Sequence, residues 1–347
     1  MKKVFALLAA GAVSMSMLAF AGCGDSSDGV INGNYTEKTP EELEEIVDGI
    51  DEDKIFGGNE DGTPNLNLGL KVNLSGSFSM GDTMSGSVST DLNFKLASNE
   101  NGFVGTGSGS LKTSYTTSVE DVTMKTSAEY KGTAYLENYI AYLGATGSST
   151  TSAAGQSQEH KIDQKIKINL LEVIENVGGN DGSVDVPSLD DSDLSLSDLL
   201  ALAQQYGVKV TVDDKDGVKF KLSATEDTVW ALVETFTSVS LTEEGLAAIK
   251  ESVTFNKFQF DLYFALDKDG AFSGTSAVVD IDVKVDTSLF GMLFEESSEA
   301  PVLSVAVKGS VEIYTHNDKV SVPSGLAEDE KYFDYTDMIF DLIGNYI

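Results

Sequence analysis

The chain has no arginine. All 23 of its basic residues are lysines, set against 56 acids, so the net charge is −33. Without a guanidinium there is no planar fork for bidentate recognition of phosphate or carboxylate. A field of this sign also repels a phosphate backbone, which argues against nucleic acid as a partner. Histidine is scarce, with only His160 and His316, and Cys23 is the single cysteine. That removes a disulfide framework and the cysteine-rich metal sites. The lone tryptophan, Trp230, argues against a sugar-stacking cleft. What the chain does have is length: 347 residues suffice for one large or two modest domains with a real core.

Residues 1–22 open with Lys2-Lys3, continue as an uncharged and largely apolar run from Val4 to Phe20, and end in small residues before Cys23. This is the pattern of a secretory signal, and the run is at the short limit for a membrane span. The segment Leu18-Ala19-Phe20-Ala21-Gly22-Cys23 resembles the lipobox of bacterial lipoproteins, with Phe20 standing where an aliphatic residue is usual. The resemblance implies cleavage before Cys23, acylation of its sulfur, and an extracytoplasmic protein held to the cell membrane. Two or three acyl chains anchor stably where one would be marginal. The alternative is an ordinary cleaved signal with an incidental cysteine. Cleavage removes Lys2 and Lys3 and makes the mature chain still more acidic, so the anchor works against repulsion by anionic lipids.

Residues 23–65 are expected to form an acidic tether. Gly24 to Tyr35 has linker composition, and Gly24 to Asn65 carries 13 acids and 2 lysines. Within it, Thr39-Pro40-Glu41-Glu42 combines an N-cap, a first-turn proline and an acid three residues past the cap. Leu43, Ile46, Val47 and Ile50 fall on one face of the helix that follows.

From Leu66 the apolar period changes to two. Leu68, Leu70, Val72, Leu74 and Phe78 alternate with Lys71, Asn73, Ser75, Ser77 and Ser79; Val88, Leu92, Phe94 and Leu96 alternate with Ser87, Ser89, Asp91 and Asn93. Asn101-Gly102 marks a hairpin, and Glu137-Asn138 another. Ala145 to Ser157, rich in Ser, Thr and Gly, reads as a loop. Between about 169 and 251 helical patterns intervene, around Leu170–Val177, Ser195–Tyr206, Val229–Phe236 and Leu246–Ile249, with a small hairpin closed by Asp213 to Gly217. Long strands then return. Phe258, Phe260, Leu262, Phe264 and Leu266 alternate with Lys257, Gln259, Asp261 and Tyr263; Ala277 to Val285 and Leu303 to Ile313 repeat the pattern, His316-Asn317-Asp318 makes a surface turn, and a helix near Asp334 to Ile343 ends the chain.

Alternation of this kind means one apolar and one solvated face, hence an antiparallel sheet covered on one side. The expected fold is therefore α+β and mostly antiparallel: one strongly curved open half-barrel of about eleven or twelve strands over residues 66–347, with helices packed on its concave face. The order of helix, meander with a Tyr135-Leu136…Tyr139 hairpin, helices and further strands is similar to the half-barrel lipoprotein-carrier fold of several envelope lipoproteins, over most of the mature chain. That resemblance implies shelter for acyl chains between sheet and helices, although fold alone does not license function.

No catalytic signature is present. There is no Gly-x-Ser-x-Gly elbow, no His-Glu-x-x-His and no phosphate-binding loop, and Gly105 to Gly109 lies within a strand. The chain is not expected to be an enzyme or to hold a cofactor. The densest metal-type ligands are Asp181, Asp185, Asp190, Asp191 and Asp193 in a lysine-free stretch, either a calcium site or a solvated negative loop. The inward residues Phe258, Phe260, Leu262 and Phe264 are the candidate contacts for a lipid or other apolar ligand. Two functions stay open: a membrane-anchored binding module for such a ligand, and an interaction lipoprotein of the cell envelope with a packed core and no small-molecule ligand.

Overall fold

The computed structural model describes residues 31–55, 67–99, 102–119, 122–177, 196–237, 243–286 and 302–336. In chain order these contain β1 (Thr36–Glu37), α1 (Pro40–Asp48), α2 (Glu52–Ile55), β2 (Leu68–Met80), β3 (Met84–Asn99), β4 (Gly102–Val119), β5 (Val122–Glu137), β6 (Ile140–Ala153), β7 (Gln156–Asn169), α3 (Leu170–Val177), α4 (Leu196–Gln205), β8 (Lys209–Asp213), β9 (Val218–Ala224), α5 (Glu226–Thr237), α6 (Glu243–Ser252), β10 (Val253–Leu266), β11 (Phe272–Asp286), β12 (Val302–Thr315) and β13 (Phe333–Asp334).

One ladder runs β1-β8-β9-β10-β11-β12-β2 and a second runs β13-β7-β6-β5-β4-β3. The β2–β3 hairpin joins them through the turn at 81–83, where the Thr83 N–H donates to the Met80 carbonyl at 3.3 Å. Along it Phe78 lies against Gly86, where an added Cβ would come 2.5 Å from the ring. The described residues thus form an open sheet of thirteen strands, antiparallel throughout except where β13 runs parallel to β7. The expected mostly antiparallel sheet is observed.

The segment 145–157, expected to be a loop, is the end of β6 and the start of β7. Ala154 and Gly155 close it as a two-residue turn, with φ of 49° and 80° and Ala153 paired with Gln156. Asn138 and Tyr139, at φ 51° and 64°, close the β5–β6 hairpin in the same left-handed way. No apolar alternation marks 145–153. Its threonines suit a pleated surface and pair across strands, as Thr126 and Thr151 do at 3.2 Å. Gly147 is required there, since a Cβ would lie 2.2 Å from the Glu129 carbonyl oxygen.

The core is divided. Its largest part sits at the β8–β10 end, where Leu43, Ile55 and Leu200 pack with Val210, Val212, Phe220, Phe264, Leu266 and Phe272. Here α1 opens with the expected capping box: Thr39 and Glu42 exchange side-chain to backbone hydrogen bonds of 3.2 and 2.8 Å. Leu43, Ile46, Val47 and Ile50 all face this cluster. A second cluster lies on the other sheet face, where Ile31 and Tyr35 cover Tyr263 and Ala265. Tyr263, expected on a solvated face, is therefore buried; Asp261, two residues earlier on that face, is buried among Ser223, Gln259 and Lys221, and this end of the sheet is covered on both sides. Residues 31–37, at the end of the supposed linker, are the cover: β1 pairs with β8, and the Asn34 N–H donates to Asp213 at 2.8 Å. Val72, Leu74 and Val311 form a third cluster; Tyr142, Leu326 and Tyr332 form the fourth, where the segment 316–336 straps across β6 and β7.

Candidate functional site

In an antiparallel ladder, directly opposite residues share a face. Asp280 lies opposite Lys308, and Lys308 opposite Ser75; Lys257 lies opposite Asp282, then Ala306, then Ser77. On the far side of the β2–β3 hairpin, Ser87 pairs with Ser114 and Ser89 with Lys112. Small side chains alternate with lysines and aspartates over this face, and they leave a trough of about 510 Å³ running from β10 to β4. It continues into a hollow of about 520 Å³ lined by Ser79, Ser85, Thr116, Lys284 and Ser304, the two sharing Ser77, Ser87, Ser114, Asp282 and Ala306.

The charges in this trough differ from those of the chain. It contains Lys112, Lys257, Lys284 and Lys308 against Asp280 and Asp282. Lys257 bonds to Asp280, Lys112 lies 3.5 Å from Glu129, and the Asn256 amide donates to Asp282 at 3.1 Å. Lys284 and Lys308 are exposed and have no ion pair among the described residues. The lining combines hydroxyls, ammonium groups and two carboxylates with the apolar side chains of Phe78, Val88, Ile281, Val305 and Val307, and contains neither histidine nor cysteine. Such a set can hold a polar chain by hydrogen bonds and charge; it contains no nucleophile paired with a base.

A separate polar cluster is buried near the other end of β10. Asp261 is 3% exposed and accepts from Ser223 at 2.5 Å and Gln259 at 2.7 Å, with Lys221 at 3.2 Å. Burial pulls the Lys221 ammonium down, but the Asp261 hydrogen bond and charge outweigh it and hold its pKa above the ordinary value. Burial first, then the Asp261 charge, pushes the Tyr263 hydroxyl up. Lys221 also lies 5.4 Å over the Tyr263 ring, and Tyr35 meets that ring edge-on at 5.7 Å. Every partner here comes from the protein, which makes the cluster a structural tie.

The four apolar candidates share one face of β10 but not one environment. Phe264 is buried against Phe272, with ring centroids 5.9 Å apart. Phe258 meets Phe255 edge-on at 5.5 Å, and Phe255 meets Trp230 at 6.1 Å. Leu262 is half-buried, and Phe260 is 39% exposed. None of the four lines the trough, its continuation, or the groove of about 630 Å³ between β7 and the strap. Cys23 and the aspartates Asp181, Asp185, Asp190, Asp191 and Asp193 lie outside the described residues. Among the described residues no three metal-type side chains gather, and no helix is long and apolar enough to cross a membrane. His160 is exposed, as expected for a surface residue, but His316 is buried at 9% exposure, its Nδ1 accepting the Asp318 N–H at 3.2 Å. The trough residues were in view in the sequence only as polar partners of an alternating pattern; their convergence depends on strand order and register.

No family model and no curated protein matches the chain. Among solved structures, a β-barrel-like protein of the domain of unknown function DUF1849 from Brucella abortus is similar over 73% of this chain and 99% of its own, at 7% identity and a TM-score of 0.21. The translocator domain of the autotransporter NalP from Neisseria meningitidis is similar over 80% of this chain and 94% of its own, at 11% identity and a TM-score of 0.21. Likenesses at that level carry no argument about what this chain does.

Proposed function

We propose that the chain is an extracytoplasmic lipoprotein, anchored to the cell membrane by acylated Cys23, that acts as a binding module and not as an enzyme. Its ligand surface is the trough, and the ligand is an elongated, hydroxyl-rich anionic polymer such as an acidic envelope glycan. One observation carries this reading: in a chain with a net charge of −33, Lys284 and Lys308 stand exposed in a serine-lined trough and form no ion pair among the described residues. Lysine ammonium groups with three donors each suit dispersed carboxylates or sulfates, and arginine forks are not needed. The sheet around the trough is proposed to curve as an open half-barrel, with the helices on its concave side; the packing of α4 against β8 and of α1 against α4 supports this.

The test uses Cys23→Ser protein purified without its anchor. Titration with an alginate oligosaccharide is expected to give saturable binding that weakens with added salt, and neutral dextran is expected to give none. The double variant Lys284→Ala, Lys308→Ala should lose most of the affinity while keeping its melting temperature. Equal binding of both polymers, or unchanged binding by the variant, would sink the assignment. Anchoring is checked separately: palmitate labelling of the expressed chain should disappear in Cys23→Ala.

A second reading, a scaffold with a packed core and no small ligand, is favoured by the ring contacts of Phe258 and Phe264. The original apolar-ligand expectation competes with it at the half-exposed Phe260. Native mass spectrometry of the anchor-free protein separates these two, since a carried lipid would add mass.

A further inference from the structure

β7 is an edge strand. β13 takes its outer side only at Ile166 and Lys167, and among the described residues nothing pairs with that side from Gln156 to Lys165. Gln156 to Lys161, Asp163 and Gln164 are exposed. An edge of this length offers its outward N–H and C=O groups to another strand. The opposite edge of the sheet is the short β8, partly covered by β1.

The charge order along β7 selects the added strand. When two copies of an edge strand pair antiparallel about a two-fold axis normal to the sheet, one residue lies opposite itself. Centring on Glu159 or Lys161 sets like charges face to face, which is unfavourable. Centring on Ile162 drives Gln158 and Ser157 of the second copy into the place held by Phe333 and Asp334 beside Ile166 and Lys167. Centring on His160 avoids both problems. Glu159 then lies opposite Lys161 of the second copy, and Lys161 opposite Glu159 of the second copy. Gln158 faces Ile162, Ser157 faces Asp163, and Gln156 faces Gln164, so the ladder ends in the groove beside Glu330 and Lys331, short of the β13 pairing at Ile166. Centres nearer either end of the open stretch shorten the ladder.

We propose that the protein self-associates as a two-fold dimer in which the β7 strands of two copies pair antiparallel, centred on His160, and extend the sheet across both molecules. The register makes this testable with a single thiol. In a Cys23→Ser background, His160→Cys places the only cysteine of each copy opposite itself, with Cα atoms about 4.5–5.5 Å apart, within disulfide reach. Mild oxidation is expected to give a covalent dimer. Ile162→Cys in the same background separates the two thiols by about four residues along the strand, roughly 13 Å, and is expected to stay monomeric. Without oxidation, the Cys23→Ser protein should sediment as a dimer. Glu159→Lys, which sets lysine against lysine, should abolish the dimer, and adding Lys161→Glu should restore it. Sedimentation as a monomer at the highest soluble concentration overturns the proposal. So does cross-linking of Ile162→Cys as readily as His160→Cys.

Discussion

Asp261 is held by hydrogen bonds on both oxygens and by one ammonium group, at a place where the sheet is covered on both faces. Replacing it with alanine removes the charge that keeps Lys221 satisfied and leaves the Ser223 and Gln259 donors without their acceptor. Breaking a buried pair costs about 3–5 kcal/mol, and because Lys221 retains some contact with water the expected loss is about 2–4 kcal/mol. Chemical denaturation of Asp261→Ala measures this; a change within error of zero would mean that water replaces the carboxylate. Phe264→Ala, in the largest core cluster, is expected to cost about 3–5 kcal/mol through lost burial and a residual cavity. The two residues also mark what a period of two reveals. Phe264 could be read as inward because apolar residues recur at alternate positions. Asp261 and Tyr263 fall on the other phase and look solvated, since what meets them, Ile31 and Tyr35 on Tyr263 and Ser223 and Lys221 on Asp261, arrives from far away in sequence.

Among the elements, α1 was fully readable. Its cap, first turn and apolar stripe are all local, and all are observed. Thr39→Ala is expected to cost about 1 kcal/mol and to raise hydrogen exchange in the first turn of α1. The end of β6 was not readable, since small and hydroxylated residues carry no burial signal and only the ladder to β5 and β7 holds it in place. The strap is likewise a long-range element. It is tied at its face by Tyr332 against Tyr142 at 5.3 Å, and at its rim by Lys165 with Asp329 and Lys167 with Asp334. The Lys331 backbone N–H and the Lys165 ammonium hold Asp329 below the usual carboxylate range; Thr336, with help from Lys167, does the same for Asp334. The Asp329 hydrogen bond holds Lys165 above its ordinary value. Lowered carboxylates stabilise the strap fully above the unfolded value near 4, and the effect is lost as pH falls through the folded values. The raised lysine stabilises it below about 10.4, and that part is lost as pH rises through the folded value. Proteolysis between residues 316 and 336 should therefore be slow from about pH 4 to 10 and faster on either side. Equal cleavage rates at pH 3.5 and pH 7, with a protease active at both, would show that these pairs do not hold the strap.

At the scale of the molecule, burial is uneven along a continuous ladder. The β8–β11 end is packed on both faces and contains most of the buried side chains, Val212, Phe220 and Leu266 among them. Across β3 to β7 the only buried residues among those described are Gly105 and Tyr142, so those strands rest on hydrogen bonds and half-buried side chains. Local opening follows buried apolar contact more closely than it follows secondary structure. Amide exchange should be slowest in β9 to β11 and faster by orders of magnitude in the centres of β4 and β5, although β4 and β5 are long strands with a neighbour on each side. The fourth cluster should slow exchange again where Tyr142 and Tyr332 clamp β6 and β7. Phe264→Ala should raise exchange throughout β8–β11 while leaving β4 and β5 unchanged, since those strands already open independently. Uniform protection across all the strands would instead make the sheet one cooperative unit, and the divided core would then have no energetic meaning.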